Sequence, residues 1–226
     1  MSAETPRERP ILFNDQMVRA ILEGRKTVTR RAVKDTGFYA IDAAIHGNEV
    51  ALREREALST RCPFGQPGDR LWVRETHAQV FEVDIPDGRP AGPIGTAGSP
   101  GRPDWKCRYV YRSDGEMPNV QWHHVGDSQP VRWTPSIHMP RRASRILLSI
   151  TAVRVERLQD ISEEQALAEG VRGEPCDHAR QACADIGCWG DTAKGAFGFL
   201  WESLNGEGSW AANPWVWVVE FKRVTP

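Results

Sequence analysis

Residues 24–31 read Gly-Arg-Lys-Thr-Val-Thr-Arg-Arg, and they constrain the chain more than any other segment. They follow a short amphipathic helix in which Asn14 is a plausible N-cap and Met17, Val18, Ile21 and Leu22 recur at helical spacing. Gly24 stands where a C′ glycine ends a helix. The chain must then turn and run extended, because Thr27, Val28 and Thr29 favour strand. Residues 25–31 carry one lysine, two hydroxyls and three arginines. Such a unit is either a solvated basic loop or the lining of a site for a polyanion, a nucleotide or a carbonyl substrate.

The rest of the composition narrows the setting. At 226 residues, 40% hydrophobic and 26% charged, the chain can bury a real core in one large domain or in a small domain with insertions. Net charge is −1, so no global basic field draws in nucleic acid and any such contact must come from local patches. No apolar run reaches the roughly 20 residues of a membrane span. The opening Met-Ser-Ala-Glu-Thr-Pro-Arg-Glu-Arg-Pro has no apolar centre, so a signal peptide is not expected and a cytoplasmic location is. The odd count of five cysteines argues against a secreted disulfide scaffold. No glycine-rich nucleotide-cofactor motif is present, and no cofactor is expected for chemistry.

Residues 1–9 read as a frayed terminus, and Pro10 to Phe13 as a first strand. An insertion over about 35–61 holds one short helix. Pro67-Gly68-Asp69 is a turn signal from which a strand leaves, with Leu71, Val73 and Glu75 alternating against Trp72 and Arg74. Residues 81–105 are a loop or hairpin insertion, Cys107 to Tyr111 a strand, and 116–130 a polar loop. Ile146 to Val155 is strand. Ser162-Glu163-Glu164-Gln165 is a capping box that opens a helix closed by Gly170. Phe197, Leu200, Trp201 and Leu204 mark a second helix over roughly 192–204. In the last strand Trp215, Trp217, Val219 and Phe221 share one face, with both tryptophans expected to be buried. The order gives an α+β fold, a single domain over 10–226 with insertions at about 35–61, 81–130 and 172–190.

Two further segments offer chemistry. Arg132, His138, Arg141, Arg142 and Arg145 surround Trp133 in a stretch with no acidic residue. The arginines can fix phosphates while Trp133 either stacks a base or pins the loop to the body of the fold. Arg74 either extends that surface or pairs with Glu75 or Asp69. Cys176, His178, Cys183 and Cys188 present four possible zinc ligands in a loop almost without apolar residues. The alternatives are reduced cysteines and a Cys183–Cys188 disulfide, and any zinc would be structural. Cys62 and Cys107 read as small core residues.

The helix ending at Gly24, the Gly-Arg-Lys-Thr-Val-Thr-Arg run, the Pro67-Gly68-Asp69 turn, the strand from Ile146 with its capped helix to Gly170, and the closing strand together resemble the ASCH domain, of the PUA-like superfamily. The Arg132-Trp-Thr-Pro-Ser-Ile-His-Met-Pro140 segment and the Trp-rich C-terminus resemble phage and prophage members. The ASCH elements cover about half of the chain; the rest is insertion. The resemblance implies a PUA-like small mixed β-barrel flanked by helices, with a cleft for RNA or a modified nucleoside. A small bacterial member removes the acetyl group from N4-acetylcytidine with a lysine, a threonine and a glutamate, which fall here on Lys26, Thr29 and Glu169. Lys26 would take a proton, Thr29 supply a hydroxyl, and Glu169 position water or pass a proton to the leaving amine. In a regular strand positions 26 and 29 face opposite sides, so a bulge or a tight turn at Lys26 is required. Other members are ribonucleases. Arg25 and Arg30 join the binding set. Non-catalytic binding of RNA or DNA, or a protein partner met through the insertions, is the alternative to an enzyme; no membrane contact is expected.

Overall fold

The computed structural model describes residues 6–34, 48–82, 95–97, 107–115, 132–172 and 192–224. Its elements are β1 (Glu8–Leu12), α1 (Asp15–Leu22), β2 (Val28–Ala32), α2 (Asn48–Ser59), β3 (Arg70–Arg74), β4 (His77–Glu82), β5 (Gly95–Ala97), β6 (Cys107–Tyr111), β7 (Leu147–Arg157), α3 (Glu163–Ala168), α4 (Ala193–Asn205) and β8 (Trp215–Val224). This is a mixed α+β architecture, as the element order in the sequence implies. A five-stranded sheet has the order β1-β3-β7-β8-β2, and a three-stranded sheet the order β5-β4-β6. The chain forms two compact units, one of residues 1–9, 20–71 and 146–226, the other of residues 10–19 and 72–145. None of the helices is long and apolar enough to cross a membrane among the described residues.

The first unit is built on β8. It pairs antiparallel with β7 from Arg157↔Trp215 to Leu147↔Val224, with one irregularity between Ile150 and Ala152, and antiparallel with β2 from Ala32↔Val216 to Val28↔Glu220. A strand with partners on both edges can be covered on both faces, and here it is. Val216 and Val218 join Val28, Leu158, Ile161, Phe197, Trp201 and Trp210 in one core cluster. Trp215 packs on the other face with Leu58 and Val155, and Trp217 is only half-buried beside them. Alternation along β8 is correct, but the face of Val216 and Val218 is as well buried as the tryptophan face.

Local signals start the helices. Asn14 Oδ1 accepts from Met17 N at 2.9 Å, starting α1 as an N-cap. Ser162 and Gln165 form the reciprocal capping box of α3. Thr192 caps α4 through Gly195 N at 2.9 Å. Of the four periodic residues in α4, Phe197 and Trp201 are buried, Leu200 is half-buried and Leu204 is 52% exposed, so the apolar stripe ends one turn early.

In the second unit, β4 pairs antiparallel with β5 (Val80↔Ala97) and with β6 (Val80↔Arg108), giving the hairpin anticipated near 81–105 a third strand. Ala78 and Val80, with Val110 and Trp133 packed against them, form one apolar cluster. Two small inward side chains are too weak an alternation to announce β4 in the sequence. Cys107 is exposed, not a core residue; Gln79 Nε2 donates to its Sγ at 3.0 Å. Cys62 is buried as expected.

Phe197 contacts Trp201 and Trp210 at ring-centroid distances of 6.2 and 6.1 Å. Phe197→Ala should lower unfolding free energy by about 3–5 kcal/mol, whereas Phe199→Ala, two residues along and half exposed, should change it by less than about 0.5 kcal/mol. Urea unfolding of both variants checks the placement of α4.

Candidate functional site

Gly24 ends α1 at φ +75°, and Ala20 O accepts from both Arg25 N (2.9 Å) and Lys26 N (3.0 Å). The backbone of residue 27 is then clasped on two sides: Thr27 N donates to Ala168 O at 2.9 Å, and Thr27 O accepts from Phe221 N at 2.9 Å. Lys26 therefore lies in a turn before β2, and strand alternation, which starts at Val28, does not govern where it points.

Its side chain runs inward and is 2% exposed. Nζ donates to Val28 O at 2.8 Å, to Glu169 O at 2.8 Å and to Glu169 Oε2 at 2.7 Å. An ammonium has three protons, and three acceptors occupy them. Burial pushes the Lys26 pKa below its ordinary value, against the pull of Glu169 and with help from Arg31 and Arg30. Glu169 follows the last residue of α3 and is also 2% exposed. Neither residue is the solvated surface group that its position in the sequence allows.

Arg30 completes this cluster. Its side chain is fully buried, with Nη1 3.2 Å from Glu169 Oε1, and Nη2 2.8 Å from Gln165 Oε1 and 3.4 Å from Glu156 Oε2. It is thus committed to protein partners. Gln165 announced itself only as a capping residue; its Oε1 also accepts from Ser162 N, so one oxygen joins the cap to the cluster. Arg25 stays at the rim, held by Glu23 and by Gly170 O. Gly170 closes α3 at φ +89°, and a Cβ there would sit 2.7 Å from Ala20 Cβ and 3.0 Å from Lys26 Cβ. Only glycine lets the helix end approach the lysine this closely.

Thr29 is buried on β2, opposite Val219, which shares a face of β8 with Trp215 and Trp217. Alternation turns it away from the face of Val28 and Arg30. The structure brings Lys26 and Glu169 into contact and leaves Thr29 outside the set that holds them.

The arginines of the second unit divide in two. Arg145 is a staple. It reaches the wholly buried Glu75 through Nε (3.0 Å) and Nη2 (3.1 Å), pairs with Asp114, donates to Ser113 Oγ, and lies 3.9 Å over the Tyr111 ring. Glu75 and Asp114 hold its guanidinium above the ordinary value despite burial. Burial raises the Tyr111 pKa and lowers that of His77, whose ring packs 6.0 Å from Tyr109. Glu75 therefore pairs with Arg145, not with Arg74, which donates to Ile137 O and lies 5.5 Å over Trp72. Arg141 is exposed and lies 6.0 Å over the same ring; Arg142 is exposed and donates to Tyr109. Arg132 and His138 are exposed, and Trp133 is half-buried against Ala78 and Val80, the pinning alternative.

No set of three or more metal-ligand side chains occurs among the described residues, and Cys176, His178, Cys183 and Cys188 lie outside them. Comparison with protein-family models, curated proteins and solved structures finds no match.

Removing Arg145 leaves a buried carboxylate unpaired. Arg145→Met should lower stability by about 3 kcal/mol, while Arg141→Ala, at an exposed position, should leave it within about 0.5 kcal/mol. Thermal or urea unfolding separates the staple from the surface.

Proposed function

We propose that this chain is an ASCH-type protein of PUA-like fold that hydrolyses the exocyclic amide of an N4-acylated cytidine, free or within RNA. The observation that carries the reading is the buried 2.7 Å contact between Lys26 and Glu169, residues 143 positions apart that the family resemblance names as catalytic. Burial lowers the proton affinity of Lys26, the direction in which a lysine becomes a proton acceptor. In this reading Lys26 takes the proton of the attacking hydroxyl, from Thr29 or from a water positioned by Glu169. The hydroxyl oxygen bonds to the acyl carbon and the C–N bond breaks. The proton passes to the leaving amine, giving cytidine, and water accounts for the remaining hydroxyl of the released carboxylate. The antiparallel β2-β8-β7 core with α3 and α4 across it is compatible with the flanked barrel of the superfamily.

A second reading, nucleic-acid binding without turnover, is favoured by Arg74 and Arg141 lying over Trp72 with Arg142 exposed nearby in the chain. Cationic guanidinium beside an aromatic ring is the chemistry that follows a single strand.

Purified protein incubated with N4-acetylcytidine should release acetate and cytidine, and Lys26→Ala should abolish the release while the fold, read by circular dichroism, persists. Folded wild-type protein without turnover overturns the hydrolase. For the second reading, replacing Arg141 and Arg142 by alanine should weaken binding of a single-stranded RNA and reduce the slope of log K against log salt by about 1–2. An unchanged slope removes those arginines from any polymer contact.

A further inference from the structure

The turn that leads from Cys62 into β3 borders a cavity of about 450 Å³, the size of a small-molecule site and far larger than a bare ion needs. Its lining residues all belong to the first unit. Backbone constraints build the turn. Gly65 adopts φ +121°, and a Cβ there would meet Asp69 Oδ2 at 2.8 Å, so only glycine lets the chain close this tightly. Gly68 N donates to Ile150 O at 3.0 Å, which ties the turn to β7. Asp69 Oδ1 accepts from Arg7 N at 3.1 Å and its Oδ2 from Gln66 N at 3.0 Å. Among the described lining residues Asp69 is the one acid, and two backbone amides engage it.

Arg7 and Arg9 line the same cavity where the chain enters β1. Two positions apart in an extended chain turn to one side. Glu8, between them, reaches Arg70 at 3.9 Å. Arg9 offers five N–H donors. Its Nη1 makes one long contact, 3.4 Å to Pro63 O, and its Nε is shut from water with no acceptor. Arg30, Arg145 and Arg154 are each held by a carboxylate. Arg9 has no such ion pair among the described residues. A guanidinium so placed on a cavity wall is stabilised by an anion that brings its own oxygens.

The rest of the lining narrows the class. Burial raises the pKa of the Cys62 thiol, while the Phe64 and Gly65 amides and the charge of Arg9 pull it down. Donors and a cation therefore converge beside Cys62. Thr60 Oγ1 donates to Ala57 O at 2.8 Å and Gln66 Nε2 to Ser59 O at 2.9 Å. What each retains for a ligand is an acceptor oxygen, which suits a hydroxyl. We propose that this cavity binds a small phosphorylated polyol, with its phosphate on the Arg9 and Arg7 guanidiniums and its hydroxyls toward Thr60 and Gln66. The site is independent of the hydrolase reading.

The test is calorimetric titration of full-length protein with ribose 5-phosphate, ribose and gluconate. Ribose 5-phosphate should bind, ribose should not, and gluconate, a carboxylate of like size, should bind about fivefold more weakly or worse. Arg9→Gln should weaken ribose 5-phosphate about tenfold or more, and Arg9→Lys nearly as much, since a point charge replaces the fork. Arg141→Gln, at an exposed position in the other unit, should leave the affinity unchanged. A readout that needs no variant is alkylation of Cys62 by iodoacetamide, followed by peptide mass spectrometry. Saturating ribose 5-phosphate should slow it about fivefold or more by closing access, while exposed Cys107 reacts at its former rate. The Cys62 rate decides the matter if the Arg9 variants do not fold. An unchanged Cys62 rate, ribose or gluconate as tight as ribose 5-phosphate, or equal effects of Arg9→Gln and Arg141→Gln overturns the proposal.

Discussion

The Lys26 ammonium holds the candidate site together by joining three parts of the chain at one atom. It binds the start of β2 through Val28 O, the end of α3 through Glu169 O, and the Glu169 side chain. None of these contacts is local to a helix or a strand ladder, so none is enforced by propensity. They are enforced by the backbone around them. Ala20 O receives two successive amides, and Thr27 is fastened on one side to Ala168 and on the other to Phe221. The lysine can stay buried because its protons are all accepted and its backbone is pinned before and after. A long, rotamer-rich side chain would otherwise lose less by reaching water.

How much of this was legible in the residues depends on whether the signal was local. Asn14, the Ser162–Gln165 box, the Phe197–Trp201 spacing and Gly170 carry their own hydrogen-bonding or steric logic within four or five positions, and each stands where that logic puts it. β4 was not legible because Ala78 and Val80 are too small to mark a face. The burial of Lys26 and Glu169 has no local mark either: a Gly-Arg-Lys-Thr run looks solvated, and a helix-terminal glutamate looks like a surface group. Their pairing was reachable only through the family resemblance, which named both residues without saying that one directly holds the other. Arg30 shows the converse failure. A cation within a basic run reads as a ligand for phosphate, and only the closure of α3 over β2 reveals that Glu169, Gln165 and Glu156 take it up.

The same lesson divides the second unit's arginines. Arg141, Arg142 and Arg145 lie within five positions and look alike in sequence. What separates them is Glu75, seventy residues earlier than Arg145 and wholly buried, which must find a cation. Arg145 meets that need together with Ser113, Asp114 and the face of Tyr111. Arg141 and Arg142 are exposed, over the Trp72 ring and against Tyr109.

The two buried carboxylates differ in the cations that meet them. At Glu75 a single guanidinium serves two carboxylates, Glu75 and Asp114. The local excess is negative, the cation is held in its charged form, and its type cannot release a proton at any working pH. At Glu169 a lysine and an arginine meet one carboxylate, and the arginine also reaches Glu156. One of these two cations is a lysine, whose proton affinity burial lowers. Both clusters are made from the same residue classes and both are paired by distance. What differs is which of the cations can let a proton go: a lysine can, and an arginine between two acids is a structural tie.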